Sequence, residues 1–147
     1  MKFVLLALML VMIGCTSTFQ SPVYSNALDV IGKAAGSVPE GVYGEFTFRI
    51  KASGEQRNIV YLNTEKDYRD QRNVTIALHP KILPQLENKY GSTPKEFFLG
   101  KSLFVKGHAK RVRIELLSKG RRTGKYYYQT HIRVDDISKI EVVDGHV

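Results

Sequence analysis

The clearest excess of positive charge in this sequence is a basic run between Lys101 and Lys125. It contains nine Lys or Arg residues against one acid, Glu115. Guanidinium groups bind phosphate and carboxylate groups bidentately, and aromatic faces stack on planar ligands. The run therefore predicts a surface that binds an anionic ligand. Its candidate ligand-binding residues are Arg111, Arg113, Lys119, Arg121, Arg122, Lys125, Tyr127 and Arg133.

Alternation within the two strands of this run predicts how the side chains are arranged. Successive strand residues point to opposite faces, so Arg111 and Arg113 lie on the face away from the core. Tyr127 and Arg133 join that face if the residues that alternate with them on the returning strand point inward. The alternative is a solvated hairpin that carries its charges outward while its tyrosines pack the core. Both interpretations are open at this point.

Other residues of catalytic type form no complete constellation. Glu65, Asp67 and Asp70 lie close to Arg69 and Arg72 in the sequence, but mixed charges on a turn are ordinarily solvated. The four histidines show no metal-ligand spacing on one element, and neither Ser-x-x-Lys nor Gly-x-Ser-x-Gly occurs. We therefore expect no catalytic residue, no metal site and no cofactor, and a protein that is not an enzyme.

The first residues have the pattern of a secretory signal. Lys2 precedes an apolar run at residues 3–13, which is too short to span a bilayer. Residues 12–15, Met-Ile-Gly-Cys, resemble the lipobox of bacterial lipoproteins. That resemblance implies that residues 1–14 are a signal peptide and that Cys15 becomes the lipidated first residue. Cys15 is also the only cysteine of the chain, so the exported domain has no disulfide available.

Lipidation at Cys15 predicts where the protein is located. Acyl chains bind membranes with about 0.8 kcal/mol per buried methylene, which gives the cysteine a physical role. Thr16, rather than Asp, follows it, and by the same resemblance this implies the outer membrane, facing the periplasm, if the source has two membranes. We expect a lipid-anchored protein of the cell envelope.

Residues 15–40 are predicted to be the lipidated cysteine and a linker, because Ser, Thr, Pro, Gly and Ala dominate them. Residues 26–31 allow two interpretations. One is a capped helical turn with Leu28 and Ile31 on one side, ended by Gly32. The other is a loosely ordered linker.

The rest of the chain has the hydrophobic pattern of five strands and one helix. Apolar and polar residues alternate in the first strand, and residues 53–55 predict the turn that follows it. After the third strand, a helix is predicted to begin at Pro80 and end at Gly91. The fourth strand is long, with a bend at Gly107, and residues 118–124 form the loop to the fifth. The predicted strands are residues 41–52, 58–63, 73–79, 100–117 and 125–134, with a closing segment at 137–143.

Three strands, a helix and two further strands are the element order of the OB-fold barrel. Residues 60–76, 100–107 and 134–142 resemble bacterial single-domain OB-fold proteins, which are similar to nucleic-acid-binding OB-folds and to the barrel of micrococcal-nuclease-like proteins. The resemblance implies a mainly β, five-stranded OB-fold barrel at residues 41–147, with a helix between strands 3 and 4. It also implies that the loop at residues 118–124 borders the ligand groove. The Asp-x-Pro-Glu run of the nuclease is absent from the chain.

The charge balance limits the partners. The chain has 22 Lys and Arg against 14 Asp and Glu, and removing Lys2 with the signal peptide leaves 21 against 14, a net charge of +7. Such an excess favours anionic partners. We predict a non-enzymatic, membrane-anchored lipoprotein whose OB-fold binds an envelope polyanion, or a partner protein, through the basic hairpin. The alternatives are an OB-fold that binds single-stranded nucleic acid and, less favoured, a nuclease-like enzyme.

Overall fold

The computed structural model describes residues 20–143, so Cys15 and the predicted signal peptide lie outside the described residues. Strands dominate, which confirms the prediction of a mainly β protein. The strands are β1 (Val23–Tyr24), β2 (Val42–Arg49), β3 (Ala52–Gln56), β4 (Ile59–Asn63), β5 (Val74–Leu78), β6 (Ser102–Ser118), β7 (Arg121–Val134) and β8 (Ile140–Val142). The helices are α1 (Ala27–Gly36), α2 (Leu83–Tyr90) and α3 (Pro94–Phe97), with 3₁₀ turns at Pro80–Ile82 and Ile137–Lys139.

All eight strands belong to one mixed sheet. Its order is β1-β2-β6-β7-β5-β4-β3, and β8 pairs with β6. The β1–β2 and β5–β7 pairs are parallel and the other pairs are antiparallel. Strand pairing alone leaves an open ladder rather than a closed barrel, with eight strands at residues 20–143 where the sequence predicted five.

Two residues, Ile50 and Lys51, connect β2 to β3, although these strands lie far apart in the ladder. The Ile50 amide donates to the carbonyl of Lys101 beside β6 (2.8 Å). The Lys51 amide donates to the carbonyl of Asn63 in β4 (2.8 Å). This short connection therefore forms hydrogen bonds to both sides of the sheet.

The reversal between β3 and β4 occurs later than the sequence predicted. Residues 53–55 lie inside β3, and the chain turns at Arg57 and Asn58, whose φ angles are 52° and 60°. Positive φ at both central residues is the geometry of a type I′ hairpin turn, which matches the twist of the strands it joins. The predicted turn was wrong because Ser53 and Gly54 are typical turn residues that an edge strand also tolerates.

The helix predicted after the third strand is present. It starts as the 3₁₀ turn, where His79 Nδ1 accepts from the Lys81 amide (3.2 Å), and continues as α2. Gly91 ends it at φ 77°, and its amide donates to the Glu87 carbonyl (2.8 Å). None of the helices within residues 20–143 has the length and apolarity needed to cross a bilayer.

Helix α1 resolves the two interpretations of residues 26–31 in favour of a helix. Asn26 is the N-cap, and its Oδ1 accepts from the amides of Leu28 (2.9 Å) and Asp29 (3.3 Å). The helix continues through Gly32 to Gly36. This part of the predicted linker therefore folds against the sheet.

The packed face of α1 differs from the prediction. Val30 and Ala34 have no exposed surface, whereas Leu28 is 59% exposed. Ala27 and Ile31 pack at the edge of the same core, so the buried positions follow the helical spacing i, i+3, i+4 and i+7. Leu28 was assigned to the wrong face because the sequence did not show that the helix runs on to Gly36.

The core lies between α1, the sheet and α2. Phe46, Phe48 and Ile50 are buried, as their alternation predicted. Phe98 is fully buried in the same cluster and packs edge-on against Tyr90, with ring centroids 5.5 Å apart. This core holds the strands that position the surface described below.

Strands β6 and β7 form a much longer hairpin than predicted. The loop expected at residues 118–124 was wrong, because the turn contains only Lys119 and Gly120, at φ 48° and 76°. The rest of that segment is strand. The register shift in the hairpin lies between Glu115 and Leu117, not at Gly107.

Candidate functional site

The register of the long hairpin divides the predicted basic face in two. Directly paired residues of an antiparallel ladder point to the same face. Arg113 pairs with Tyr128, whereas Tyr127 pairs with Ile114. Arg111 and Arg113 therefore do not share a face with Tyr127 and Arg133, and the single predicted face was wrong. Alternation relates residues of one strand, but it does not give the register to the next strand.

The first of these faces carries a row of stacked arginine and tyrosine side chains. The Arg111 guanidinium lies 3.6 Å from the centre of the Tyr128 ring, and that of Arg113 lies 4.0 Å from the Tyr126 ring. The two tyrosine rings meet edge-to-face, 5.5 Å apart. Arg113 also forms an ion pair with Glu115 (2.9 Å). Cation–π contacts of this kind hold a guanidinium in a defined orientation.

The remaining predicted residues lie at the end of the hairpin. Lys119, Arg121, Arg122 and Lys125 are all exposed. Within residues 20–143, none of the four has a carboxylate within ion-pair distance. Their roles in binding stay predictions. The structure places them together at the tip of the hairpin, where they form a cationic cluster.

The opposite face contains an open groove of about 900 Å³. Side chains from β2, β4, β5, β6 and β7 line it, because their outward residues meet above the core. Two pairs of rings, each a tyrosine beside a histidine, line the groove. Tyr43 lies beside His108, with ring centroids 4.8 Å apart, and Tyr61 lies 6.2 Å from His131.

Four cations line this groove, and two of them are neutralised. Lys106 pairs with Glu45 (3.1 Å) and Lys139 pairs with Asp135 (3.0 Å). The bond to Lys139 lowers the pKa of the Asp135 carboxyl, and the same bond raises the pKa of Lys139. Within the described residues, the other two, Lys110 and Arg133, have no such partner.

A hydrogen-bond chain continues from His131 along the same face. Burial lowers the pKa of His131 to about 4, so the ring is neutral at neutral pH. Its Nε2 lies 2.7 Å from Gln129 Oε1 and therefore donates. Gln129 Nε2 donates in turn to the Tyr127 hydroxyl (2.9 Å) and to the Tyr68 carbonyl (3.1 Å). The chain holds the His131 ring in one orientation.

A second depression of about 460 Å³ adjoins the first and shares Tyr61 and His131 with it. Tyr127, Gln129 and Tyr68 line its far side. The two depressions together form a trough along the outer face of the sheet. One half carries Lys110 and Arg133, whereas the other half is lined mainly by rings and amides, with Glu55 as its one charged residue within the part of the chain that the structure describes.

The loop between β4 and β5 is fixed by the buried Asn73 side chain. Its Nδ2 donates to Asn63 Oδ1 (3.1 Å), to Thr75 Oγ1 (3.0 Å) and to the Tyr68 carbonyl (3.3 Å). Its Oδ1 accepts from the Glu65 amide (3.1 Å). A buried amide with its hydrogen bonds made rigidifies the backbone that it touches. This network positions Tyr68 at the rim of the trough.

The acidic residues of that loop do not converge on a common point. Asp67 binds Arg69 and Asp70 binds Arg72, each through side-chain and backbone hydrogen bonds. The side-chain bond from Arg72 lowers the pKa of Asp70 to about 2. Within residues 20–143, no group of three His, Cys, Asp or Glu side chains is placed to hold a metal ion.

Sequence reasoning missed most of the groove. Tyr43, Tyr61 and His108 were not candidate residues, although each sits at an outward position of a strand that was predicted. The signal in the sequence was a polar or aromatic residue between two apolar residues of a strand, such as Tyr61 between Val60 and Leu62. That signal identifies the outward residues of a single strand, whereas five strands form the groove.

Comparisons with known proteins give no family for this chain. No protein-family model matches it, and no curated protein matches its sequence. A solved structure of a candidate aspartyl-tRNA synthetase from Leishmania major Friedlin is similar over 89% of this chain, at 12% identity and a TM-score of 0.46. This chain spans 22% of that chain.

Proposed function

We propose that this protein is a non-enzymatic, lipid-anchored envelope protein whose OB-barrel binds an anionic ligand in the trough. The observation that carries the proposal is the convergence of Lys110 and Arg133 with the rings of Tyr43, Tyr61 and His131. Neither cation forms an ion pair with any residue that the structure describes. The basic hairpin face predicted from the sequence is replaced as the ligand site. Arg133 and Tyr127 are kept from it.

The strand arrangement supports an OB-barrel. An OB-fold uses one long bent strand that pairs on both sides, and β2 with β3 supplies such a strand if Ile50 and Lys51 are its bend. The hydrogen bonds of those two residues to the Lys101 and Asn63 carbonyls support this. The parallel β5–β7 pair and the helix between β5 and β6 also fit. OB-folds bind ligands on the outer face that carries the trough.

The trough suits a linear ligand with anionic groups and flat or ring-shaped units. Lys110 and Arg133 would bind phosphate, sulfate or carboxylate groups at one end. Tyr61 and the neutral His131 ring offer stacking surfaces beside them. Glycans of the envelope and single-stranded nucleic acids both have this chemistry. A protein held outside the cytoplasm meets envelope polyanions first, so we place these ahead of nucleic acid.

Binding of lipopolysaccharide and of a labelled single-stranded oligonucleotide tests the function. We expect Lys110→Ala/Arg133→Ala to weaken binding and to lower its salt dependence, because two cation contacts are lost. For the single strand, the slope of log K against log salt concentration should fall in magnitude by about 1.4. Lys89→Ala/Lys95→Ala removes the same charge from the helices and should leave binding unchanged. Wild-type protein that binds neither probe, or control and trough variants that weaken equally, would refute the trough as the site.

Nucleic-acid binding is the second candidate, and the rings in the trough favour it. A base that stacks on Tyr61 contributes about 1–3 kcal/mol. Tyr61→Ala should then weaken the single-stranded oligonucleotide roughly five- to hundred-fold while lipopolysaccharide binding stays the same. Losses of equal size for both probes would favour the glycan.

A further inference from the structure

The outer part of the β6–β7 hairpin extends beyond the rest of the sheet. β2 pairs with β6 only up to Ala109, and β5 pairs with β7 only from Thr130 onward. Residues 112–118 and 121–129 therefore pair with each other alone, and we call this two-stranded ribbon the arm. Seven strand residues span about 23 Å. The tip of the arm lies beyond the last strand pairs that β2 and β5 make with the hairpin.

The arm combines positive charge with exposed apolar side chains. Leu116 and Leu117 are 40% and 60% exposed, and Tyr126 and Tyr128 are 47% and 44% exposed. Lys119, Arg121, Arg122 and Lys125, which form no ion pair within residues 20–143, lie near the leucines at the end of the ribbon. Basic side chains next to exposed leucine and tyrosine are typical of segments that bind at the interface of an anionic bilayer.

The arm and the predicted lipid anchor lie toward the same end of the sheet. β1 runs parallel to β2, so the chain enters β1 from the side on which β2 begins. At that end Val42 pairs with Ala109, which lies three residues before the arm. Cys15 is five residues before Gln20, a distance of at most about 18 Å when extended. A lipid on Cys15 would thus hold this end of the protein close to the membrane.

We propose that the arm docks on the anionic surface of the bilayer, with Leu116 and Leu117 in the headgroup region and the four terminal cations on lipid phosphates. Leucines next to cations at the tip favour a bilayer, because its headgroup region receives aliphatic side chains while its phosphates bind the cations. The proposal rests on the proposed function only for the anchor at Cys15. Tyr127 and Gln129 of the arm line one half of the trough, but the trough cations Lys110 and Arg133 lie outside the arm and have no part in the docking.

Tryptophan fluorescence tests the docking directly, because the natural chain contains no tryptophan. The chain from Thr16 onward is suitable, since every buried core residue among residues 20–143 lies between Val30 and Ile140. Tyr126→Trp places a reporter on the arm, and Leu99→Trp places one at an exposed site before β6. With phosphatidylglycerol-containing vesicles we expect the arm reporter to shift to the blue and the control reporter to stay unchanged. No shift, or equal shifts at both sites, would overturn the proposal.

Vesicle co-sedimentation with unlabelled variants separates charge from apolar insertion. Arg121→Ala/Arg122→Ala should weaken binding to phosphatidylglycerol vesicles about thirty-fold, and Lys89→Ala/Lys95→Ala should not change it. Leu116→Ser/Leu117→Ser should weaken it about tenfold or more. Binding to pure phosphatidylcholine of equal strength would overturn the role of charge. An arm that binds duplex DNA but no vesicle, with leucine variants unaffected, would assign the arm to nucleic acid.

These assays do not depend on the trough. Lys110→Ala/Arg133→Ala should retain vesicle binding if both proposals are correct, because Lys110 and Arg133 lie at the base of the hairpin and not at its tip. Wild-type protein that binds vesicles but neither lipopolysaccharide nor the oligonucleotide would refute only the proposed function. The reverse result would refute only the docking of the arm.

Discussion

At the scale of single residues, burial and hydrogen bonding change the chemistry of side chains that look alike in the sequence. His131 is held neutral by burial, and Gln129 fixes its orientation. Asp67 and Asp70 remain ionised because Arg69 and Arg72 bind them directly. The histidine can therefore serve as a flat stacking surface, while the two carboxylates are already occupied by neighbours in their own loop.

The lowered pKa of His131 predicts a dependence of stability on pH. The folded ring titrates at about 4 and the unfolded ring at the ordinary value of 6.5, so the unfolded state takes up the proton first as the pH falls. The free energy of unfolding is then complete above pH 6.5 and declines between pH 6.5 and about 4. We expect His131→Gln to flatten this decline in urea unfolding measured across the window.

The matched control is His108→Gln, an exposed histidine on the neighbouring strand β6. It should leave the decline in place. Asp70 acts in a lower window, since its pKa of about 2 lies below the ordinary 3.8 and its contribution is lost only as the pH falls through that range. A wild-type protein with no decline above pH 4 would contradict the buried, neutral state of His131.

At the scale of elements, helix α1 and the arm differ in how far their apolar side chains are buried. α1 buries Val30 and Ala34 completely, which ties the segment after the predicted anchor to the core. The arm leaves four large apolar side chains 40–60% exposed, although Leu116 and Tyr128 share a depression with Ile31 and Ala35 of α1. The first element stabilises the fold, and the second offers a contact surface.

Substitutions within α1 measure how far this helix stabilises the protein. Val30→Ala should lower the free energy of unfolding by about 2 kcal/mol, because it opens a cavity at a fully buried site. Leu28→Ala, on the exposed face of the same helix, should change it by less than about 0.5 kcal/mol. Urea unfolding of the two variants makes the comparison. Equal effects would mean that α1 does not pack as described.

At the scale of the whole molecule, the proposals combine a lipid anchor, a folded sheet and a basic arm. The net charge of +7 after removal of the signal peptide is unevenly distributed, since seven ion pairs within residues 20–143 neutralise other cations while the arm tip keeps its charge. Attachment by lipid and contact by the arm would act on the same membrane. Two weak membrane signals together bind far more firmly than either alone.

This combination predicts the behaviour of a variant without the lipid. Cys15→Ser should move most of the protein from the membrane fraction to the soluble fraction, because the acyl chains are lost. Cell fractionation and immunoblotting measure the distribution. Adding Arg121→Ala/Arg122→Ala should release what remains bound. A Cys15→Ser protein that stays fully on the membrane would contradict lipid anchoring.

The sequence by itself determined the strand content, the helix after the third strand and the inward positions of Phe46, Phe48 and Ile50. Each of these depends on local periodicity or on a cap, such as Gly91 at the end of α2, and both are properties of a few adjacent residues. The positions of typical turn residues were less informative. Ser53 and Gly54 lie in a strand, and most of residues 118–124 do as well.

Only the tertiary structure decided which side chains meet. Whether Arg113 faces Tyr128 or Tyr127 depends on the register between β6 and β7, and a shift of one residue exchanges the two faces. Likewise, Tyr43, Tyr61 and His131 lie on β2, β4 and β7, which are brought together by the β2–β6 and β5–β7 pairs, each between strands that are not consecutive in the chain. Strand pairing therefore creates the trough and the arm. The sequence alone shows the charged, aromatic and apolar residues that form them, but not which of them meet.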